Sequence, residues 1–318
     1  MARIICGVDI SSRTLDVCLG GMGLQAQFAN SSEGIAQLGA LCLQNDVELV
    51  AMEVTGGYEQ KALHGLSSMG LPVAILNPRA VRQFAQSMGR LEKTDAIDAA
   101  IIAQYAAVRK SKPVLVAPAR QQQLRALVTR LRQLTGLRTA QRNPARLVED
   151  ELVRRCFLEL LSLVDAQIGE LEQQIAARIA SDPLWRQLDP VLRTIKGVAD
   201  RTVARLFAEL PELGTLPNKT VAKLAGLAPL ARDAGQFQGK RHVRGGRAPV
   251  REILFIVGSV VARYEPDFVA FQDRLRQAGK PPKEVRIAVA HKLLTRLNAK
   301  ARDLRQGQPS AAQQAEAA

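Results

Sequence analysis

The chain reads as an α/β domain with a mixed sheet, then a long helical hairpin, then a second, mainly helical domain. Three observations predict this. Short apolar runs bounded by turn residues fill the stretch up to residue 78. Apolar residues then repeat at steps of three and four from about 121 to 178. Helical patterning resumes from 185 to 297, interrupted by one stretch rich in Gly and Arg.

In order, strands are expected at Arg3–Ser11, Thr14–Gly20 and Leu24–Ala29, a meander joined by short polar or Gly-rich turns. A helix near Gly34–Gln44, a strand at Val47–Val54, a helix at Glu59–Met69 and a strand at Pro72–Leu76 follow. Thr94 is a suitable N-cap for a helix to about Val108, with Ile97, Ile101, Ile102 and Tyr105 on its apolar face. Leu124, Leu127, Leu131 and Leu134 form one heptad-like seam, and Phe157, Leu161, Val164, Ile168, Leu171 and Ile175 another, with Asn143-Pro144 breaking the helix between them. Such arms build either a helical hairpin or a dimer contact. Domain boundaries are expected at 1–110, 111–184, 185–300 and 301–318, the last a Gln/Ala-rich disordered tail.

The net charge of +14 is unevenly placed. Residues 1–110 carry nine Lys/Arg against ten Asp/Glu, which leaves 35 against 20, net +15, for 111–318. An acidic domain joined to a strongly basic remainder fits a polyanion held by the second part and processed by the first. Membrane binding is the rival source of basicity, but no apolar run approaches the ~20 residues that span a bilayer, and no signal-peptide pattern opens the chain. Cys6, Cys18, Cys42 and Cys156 lack zinc-site spacing and are expected as buried, reduced thiols of a cytoplasmic protein.

Four carboxylates stand out. Asp9 lies in the apolar run Ile4–Ile10, Glu53 ends the run Val47–Glu53, and Asp95 and Asp98 open a helix on one face. A carboxylate on an apolar strand needs cationic compensation, and an oxygen-rich cluster suits Mg²⁺, or Mn²⁺ in its place. Further on, Thr194–Val203 has the form of a helix-hairpin-helix turn, which would aim backbone amides and Lys196 at phosphate; a plain Gly-containing helix connection has the same pattern. From Arg232 to Arg251, Lys240, Arg241, Arg244, Arg247 and Arg251 alternate with glycines, a pattern for close backbone approach to phosphates. No Walker-type phosphate loop is present.

Gly7-Val8-Asp9-Ile10-Ser11, Glu53-Val54-Thr55-Gly56-Gly57-Tyr58-Glu59, Asn77–Ala85 and Lys93-Thr94-Asp95-Ala96-Ile97-Asp98-Ala99 resemble the N-terminal domain of the bridge-RNA-guided transposases of bacterial insertion sequences. That domain is similar to the RuvC Holliday-junction resolvase, an RNase H-like fold with a DEDD acidic tetrad. Ile195–Val198, Leu224–Pro229, Gly235–Lys240 and Gly245-Gly246-Arg247 look like the same family's C-terminal transposase domain.

The resemblance implies a DNA recombinase in which a guide (bridge) RNA pairs with donor and target DNA. Asp9, Glu53, Asp95 and Asp98 would hold Mg²⁺, while Arg79, Arg82, Lys93 and Lys196 join the cations of the 232–251 stretch on nucleic acid. It also implies a serine nucleophile immediately before Gly235, giving a phosphoserine intermediate, in a dimer or tetramer on bacterial DNA in the nucleoid. That place holds Ala234, which has no oxygen with which to attack, so this chain is expected to be inactive either as a variant or by nature. Ser259, downstream, reads as a core residue. The alternatives are a metal-dependent resolvase or nuclease that uses water, and an RNA-binding module with a vestigial acidic site.

Overall fold

The computed structural model describes residues 4–90, 95–114, 116–231, 233–234, 237–239 and 241–307, with the backbone alone at 95–96, 233–234 and 237–238. It divides into two compact units, Met1–Ala117 and Pro118–Ala318.

The first unit is built on β1 (Ile5–Ile10), β2 (Thr14–Leu19), β3 (Leu24–Ala29), β4 (Leu49–Glu53) and β5 (Val73–Leu76). They form one sheet in the order β3-β2-β1-β4-β5; β2 runs antiparallel to both its neighbours, and β4 and β5 run parallel to β1. This is the mixed sheet of an α/β domain that the sequence predicts. The meander is enforced locally: the Ser11 hydroxyl accepts from the amides of Arg13 (3.1 Å) and Thr14 (2.8 Å), and Gly21 and Gly23 take the positive φ of the next turn.

Both faces of the sheet are covered. Val8, Leu15, Val17 and Met52 pack with Ile35, Leu38 and Leu66 of α1 (Ser32–Gln44) and α2 (Glu59–Ser68). Ile5, Leu49, Ala51 and Leu76 pack with residues of α3 (Pro78–Ser87) and α4 (Asp95–Arg109), including Val81, Ile101 and Ile102. Burial on both sides is why the central strands are apolar without alternation. Helix α3 goes beyond the sequence expectation; Asn77 caps it, accepting from the Arg79 amide at 2.9 Å, with Pro78 in its first turn. The expected cap Thr94 lies outside the described residues.

The second unit is mainly helical: α5 (Ala119–Ala145), α6 (Glu151–Ser181), α7 (Pro183–Arg193), α8 (Asp200–Glu209), α9 (Asn218–Leu224), α10 (Ala248–Tyr264), α11 (Pro266–Gln277) and α12 (Pro282–Gln306). Between α9 and α10 lie four two-residue strands, β6 to β9, at Pro229–Leu230, Asp233–Ala234, Phe237–Gln238 and His242–Val243.

Helices α5 and α6 pack side by side through Leu124, Val128, Leu131 and Leu134 against Val164, Ile168 and Ile175. Val128 replaces Leu127 as a fully buried seam position, and in α6 burial begins only at Val164; Leu152, Leu158 and Leu163 are exposed. These helices share one core with α7–α12, so the expected boundary at 184/185 is not a break between compact units. Gln121 ties α5 to α8, its Nε2 donating to the carbonyls of Phe207 (2.6 Å) and Ala208 (3.1 Å).

Three expectations change. Helix α12 runs through residue 300, so any tail starts after Gln306; residues 308–318 lie outside the description. Cys156 is exposed, while Cys6, Cys18 and Cys42 are buried, and all four are free thiols. Ser259 is half-buried rather than core, because its side of α10 opens on a cleft. Among the described residues no helix is long and apolar enough to cross a membrane.

Candidate acidic site and basic hairpin

The acidic site is assembled by one close approach. A Cβ on Gly7 of β1 would stand 2.1 Å from the Ala99 carbonyl oxygen and 2.6 Å from the Ala103 amide nitrogen of α4. Only the missing side chain lets the helix lie this near the strand. Asp98 directly precedes Ala99 and Asp95 opens the helix, so the start of α4 is held against the strand that carries Asp9.

Side chains alternate along a strand. Ile5 and Gly7 face α4, and Asp9 follows on that face at the strand's C-terminal end. On the parallel neighbour β4, Leu49 and Ala51 face the same way, and Glu53 ends the strand. Val8 pairs with Met52, so Asp9 and Glu53 each lie one step beyond the same rung. The two carboxylates thus end adjacent strands on one face, half-buried, beneath a helix that begins with two more.

Two residues of this region escape sequence reasoning. Asp16 stands directly opposite Asp9 in the β1–β2 register; it accepts from Gln27 Nε2 at 2.7 Å and from Thr14 Oγ1 at 3.4 Å. Like charges facing across a ladder repel. The signal was an acid within the apolar run Leu15-Asp16-Val17.

Glu59, only 4% exposed, opens α2 and clasps the loop after Glu53. Its Oε2 accepts from the amides of Thr55 (3.0 Å) and Gly57 (2.9 Å) and from Thr55 Oγ1 (3.1 Å), and its Oε1 accepts from Gln60 Nε2 (2.9 Å). Burial opposes its ionisation, but the donors from Gln60, Thr55 and Gly57 prevail and bring the pKa down to about 2. Asn30 Nδ2 donates to the carbonyls of Ser11 (2.9 Å) and Tyr58 (3.4 Å), joining the turn after Asp9's strand to the loop after Glu53's.

All these donors are carboxylate oxygens, the set a hard divalent cation prefers, and the Asp9–Asp16 opposition gives a cation something to neutralise. The residues therefore fit Mg²⁺ or Mn²⁺ in chemistry. Among the described residues no three His, Cys, Asp or Glu side chains form a ready-made metal group. The side chain of Asp95 lies outside that description.

The expected nucleic-acid contacts divide. Arg79 is exposed and Arg82 half-buried on α3; Lys93 and Lys240 lie outside the described residues. Lys196 is exposed in the turn between α7 and α8, but its amide donates to Glu265 Oε1 at 2.7 Å and the Val198 amide to the Ile195 carbonyl at 3.0 Å. Those amides are therefore already engaged within the protein, which counts against the phosphate-facing reading of this turn.

Arg241 and Arg244 are exposed beside β9. Arg247 is not: its guanidinium grips both Glu212 oxygens at 2.6 Å and the Glu209 carbonyl at 2.9 Å. The Glu212 bond raises the Arg247 pKa; on Glu212 burial opposes ionisation, but that bond, its own backbone amide and the charge of Arg247 together lower the pKa. Arg251 donates to the Gly245 carbonyl at 2.6 Å. Arg247 is therefore engaged in fastening the hairpin by a partner remote in sequence, and Arg251 gives one donor to a carbonyl six residues away.

The hairpin pairs β6 with β9 and β7 with β8, with Ala234 opposite Phe237. Its base is closed by glycines: a Cβ on Gly246 would meet the Gly226 amide nitrogen at 2.2 Å, and the Arg247 amide donates to the Leu224 carbonyl at 2.7 Å.

A transposase profile, that of the DEDD transposases of IS110, matches residues 6–149, and the profile "Transposase IS116/IS110/IS902 family" matches 189–273. The "Pilin gene-inverting protein" of Moraxella lacunata is 30% identical over 317 residues, covering 93% of this chain and 94% of its own, and its Moraxella bovis counterpart matches equally. The "Insertion element IS110 uncharacterized 43.6 kDa protein" of Streptomyces coelicolor is 30% identical over 145 residues, 45% of this chain and 35% of that one. Among solved structures, RuvC of T. thermophilus in complex with Holliday junction substrate is similar at 17% identity and a TM-score of 0.29, covering 36% of this chain and 100% of that chain.

Proposed function

The chain belongs to the IS110 family of transposases, and we propose that it is a DNA recombinase that works on donor and target DNA under the direction of a guide RNA. The observation that carries the reading is the Gly7–Ala99 approach, which sets the start of α4 against the strand of Asp9. In this reading Asp9, Glu53, Asp95 and Asp98 hold Mg²⁺, or Mn²⁺ in its place. When bound, the ion supplies charge neutralisation at a scissile phosphate and lowers the pKa of an attacking hydroxyl. The protein's own part is to fix the carboxylates: Gly7 sets the helix, Glu59 holds the loop behind Glu53, and Asn30 links that loop to the turn behind Asp9.

The hairpin 229–243 carries position 234. A serine there would form an O–P bond to the scissile phosphorus while the bond to the leaving sugar oxygen breaks, and rejoining reverses the exchange without ATP. Alanine leaves no oxygen for this step, so the chain as it stands binds without cutting. The basic second unit, with Arg241 and Arg244 exposed, positions the nucleic acid, and the exposed Leu152, Leu158 and Leu163 of α6 support self-association as a dimer or tetramer. The site of action is the bacterial cytoplasm, on the nucleoid.

The test is Ala234→Ser with guide RNA, donor and target DNA. A covalent protein–DNA adduct supports the reading. A hydrolysed end with a free 5′-phosphate and no adduct replaces it with a water-using nuclease or resolvase, and no DNA processing at all leaves only a binding protein.

A further inference from the structure

Helices α10, α11 and the first turns of α12 enclose a cleft of about 760 Å³. Its walls carry four cations from three helices, Arg263, Arg276, Lys283 and Arg286, and a single acid, Asp273. Asp273 lies 3.7 Å from Arg276 and so offsets one charge. Among the described residues Arg263, Lys283 and Arg286 form no ion pair, and all three are exposed. The Arg286 guanidinium lies over the ring of Phe255, another lining residue, 5.6 Å from its centroid.

Converging like charges repel unless a counter-charge arrives from outside. A volume of this size exceeds what a single phosphate ion fills and suits an extended ligand. Cations on separate helices can meet successive phosphates of one strand, and arginine's planar fork matches phosphate oxygens. None of these residues belongs to the Arg232–Arg251 stretch.

We infer that this cleft is a second nucleic-acid site, holding the phosphodiester backbone of a DNA strand through Arg263, Lys283 and Arg286. The inference rests on the reading of the protein as DNA-handling. The contact is to backbone, so it adds affinity without choosing sequence.

The experiment titrates a labelled DNA oligonucleotide against the full chain at several salt concentrations between about 50 and 200 mM. It compares the unaltered protein with Arg263→Gln/Lys283→Gln/Arg286→Gln and with Arg241→Gln/Arg244→Gln. The cleft variant should bind about tenfold or more weakly, equally for unrelated sequences, with a log–log salt slope shallower by about two to three. An unchanged affinity and slope overturns the inference while leaving the proposed function standing. If the unaltered protein itself shows no salt-dependent DNA binding, the proposed function fails first.

A second measurement needs no variant. Saturating DNA should protect Lys283 from an amine-reactive reagent more than it protects Lys61; equal labelling with and without DNA overturns the inference. An RNA oligonucleotide of the same sequence is the control arm. Loss of RNA binding alone in the cleft variant would assign the cleft to RNA and refute the DNA assignment.

Discussion

Gly7→Ala is the sharpest test of how the acidic site is built. The new Cβ would lie 2.1 Å from the Ala99 oxygen and 2.6 Å from the Ala103 nitrogen, against an ordinary contact of about 3.4 Å or more. Both obstructing atoms are backbone, so no rotamer change relieves them, and α4 must withdraw by about 1 Å. Overpacking of this kind costs roughly 1–3 kcal/mol. Function should suffer more than stability, because a displacement of about 1 Å at a reacting site costs on the order of a hundredfold in rate.

Denaturant unfolding followed by circular dichroism measures the first effect. Recombination in an Ala234→Ser background measures the second. Ala103→Gly should not rescue the variant, since it removes only the third and longest contact, the Ala103 methyl at 3.0 Å. Stability within about 0.5 kcal/mol of the parent together with full activity would refute the argument that Gly7 sets α4.

The remaining predictions concern the carboxylates and the hairpin. Asp9→Asn, Glu53→Gln, Asp95→Asn and Asp98→Asn should each abolish recombination in the Ala234→Ser protein; near-normal turnover in any two would break the tetrad. Glu59→Gln should cost roughly 2 kcal/mol at pH 7, after discounting for solvent around the loop. Because the folded pKa of about 2 lies below the ordinary 4.5, that stabilisation is whole above about pH 4.5 and is lost as pH falls towards 2, so parent and variant unfolding curves should converge there. A double-mutant cycle on Arg247→Lys and Glu212→Gln should return a coupling of about 1–2 kcal/mol, and a value near zero would remove the clamp from the hairpin's base.

What the sequence made legible followed from local chemistry. The strands of Asp9 and Glu53 were readable because burial on both faces demands apolar runs, against which a carboxylate stands out. Asp95 and Asp98 were readable from helical spacing. Asp16 was not, because nothing in the sequence sets it opposite Asp9 until the register of β1 and β2 is known. Glu59 looked like an ordinary helix-start acid, and only the fold of the Gly56-Gly57 loop turns two amides onto it. The engagement of Arg247 was not legible because Glu212 lies 35 residues earlier in the chain. The amide of Lys196 meets Glu265 across 69 residues, a pairing that no local pattern announces.

The closure at Gly226, Gly246 and Arg247 separates the hairpin's anchorage from its content. Among the described residues, the contacts that fix its root to α9 and α10 lie at or before Ala228 or from Gly245 onward. Among the described residues, the intervening chain, Pro229 to Val243, contributes none to the unit's core. It is therefore an exchangeable cassette: its length and composition can drift, or be transplanted between relatives, while the helical frame stays folded. Selection on what this segment touches can then proceed without paying in stability, whereas a single side chain at Gly246 cannot be accommodated at all.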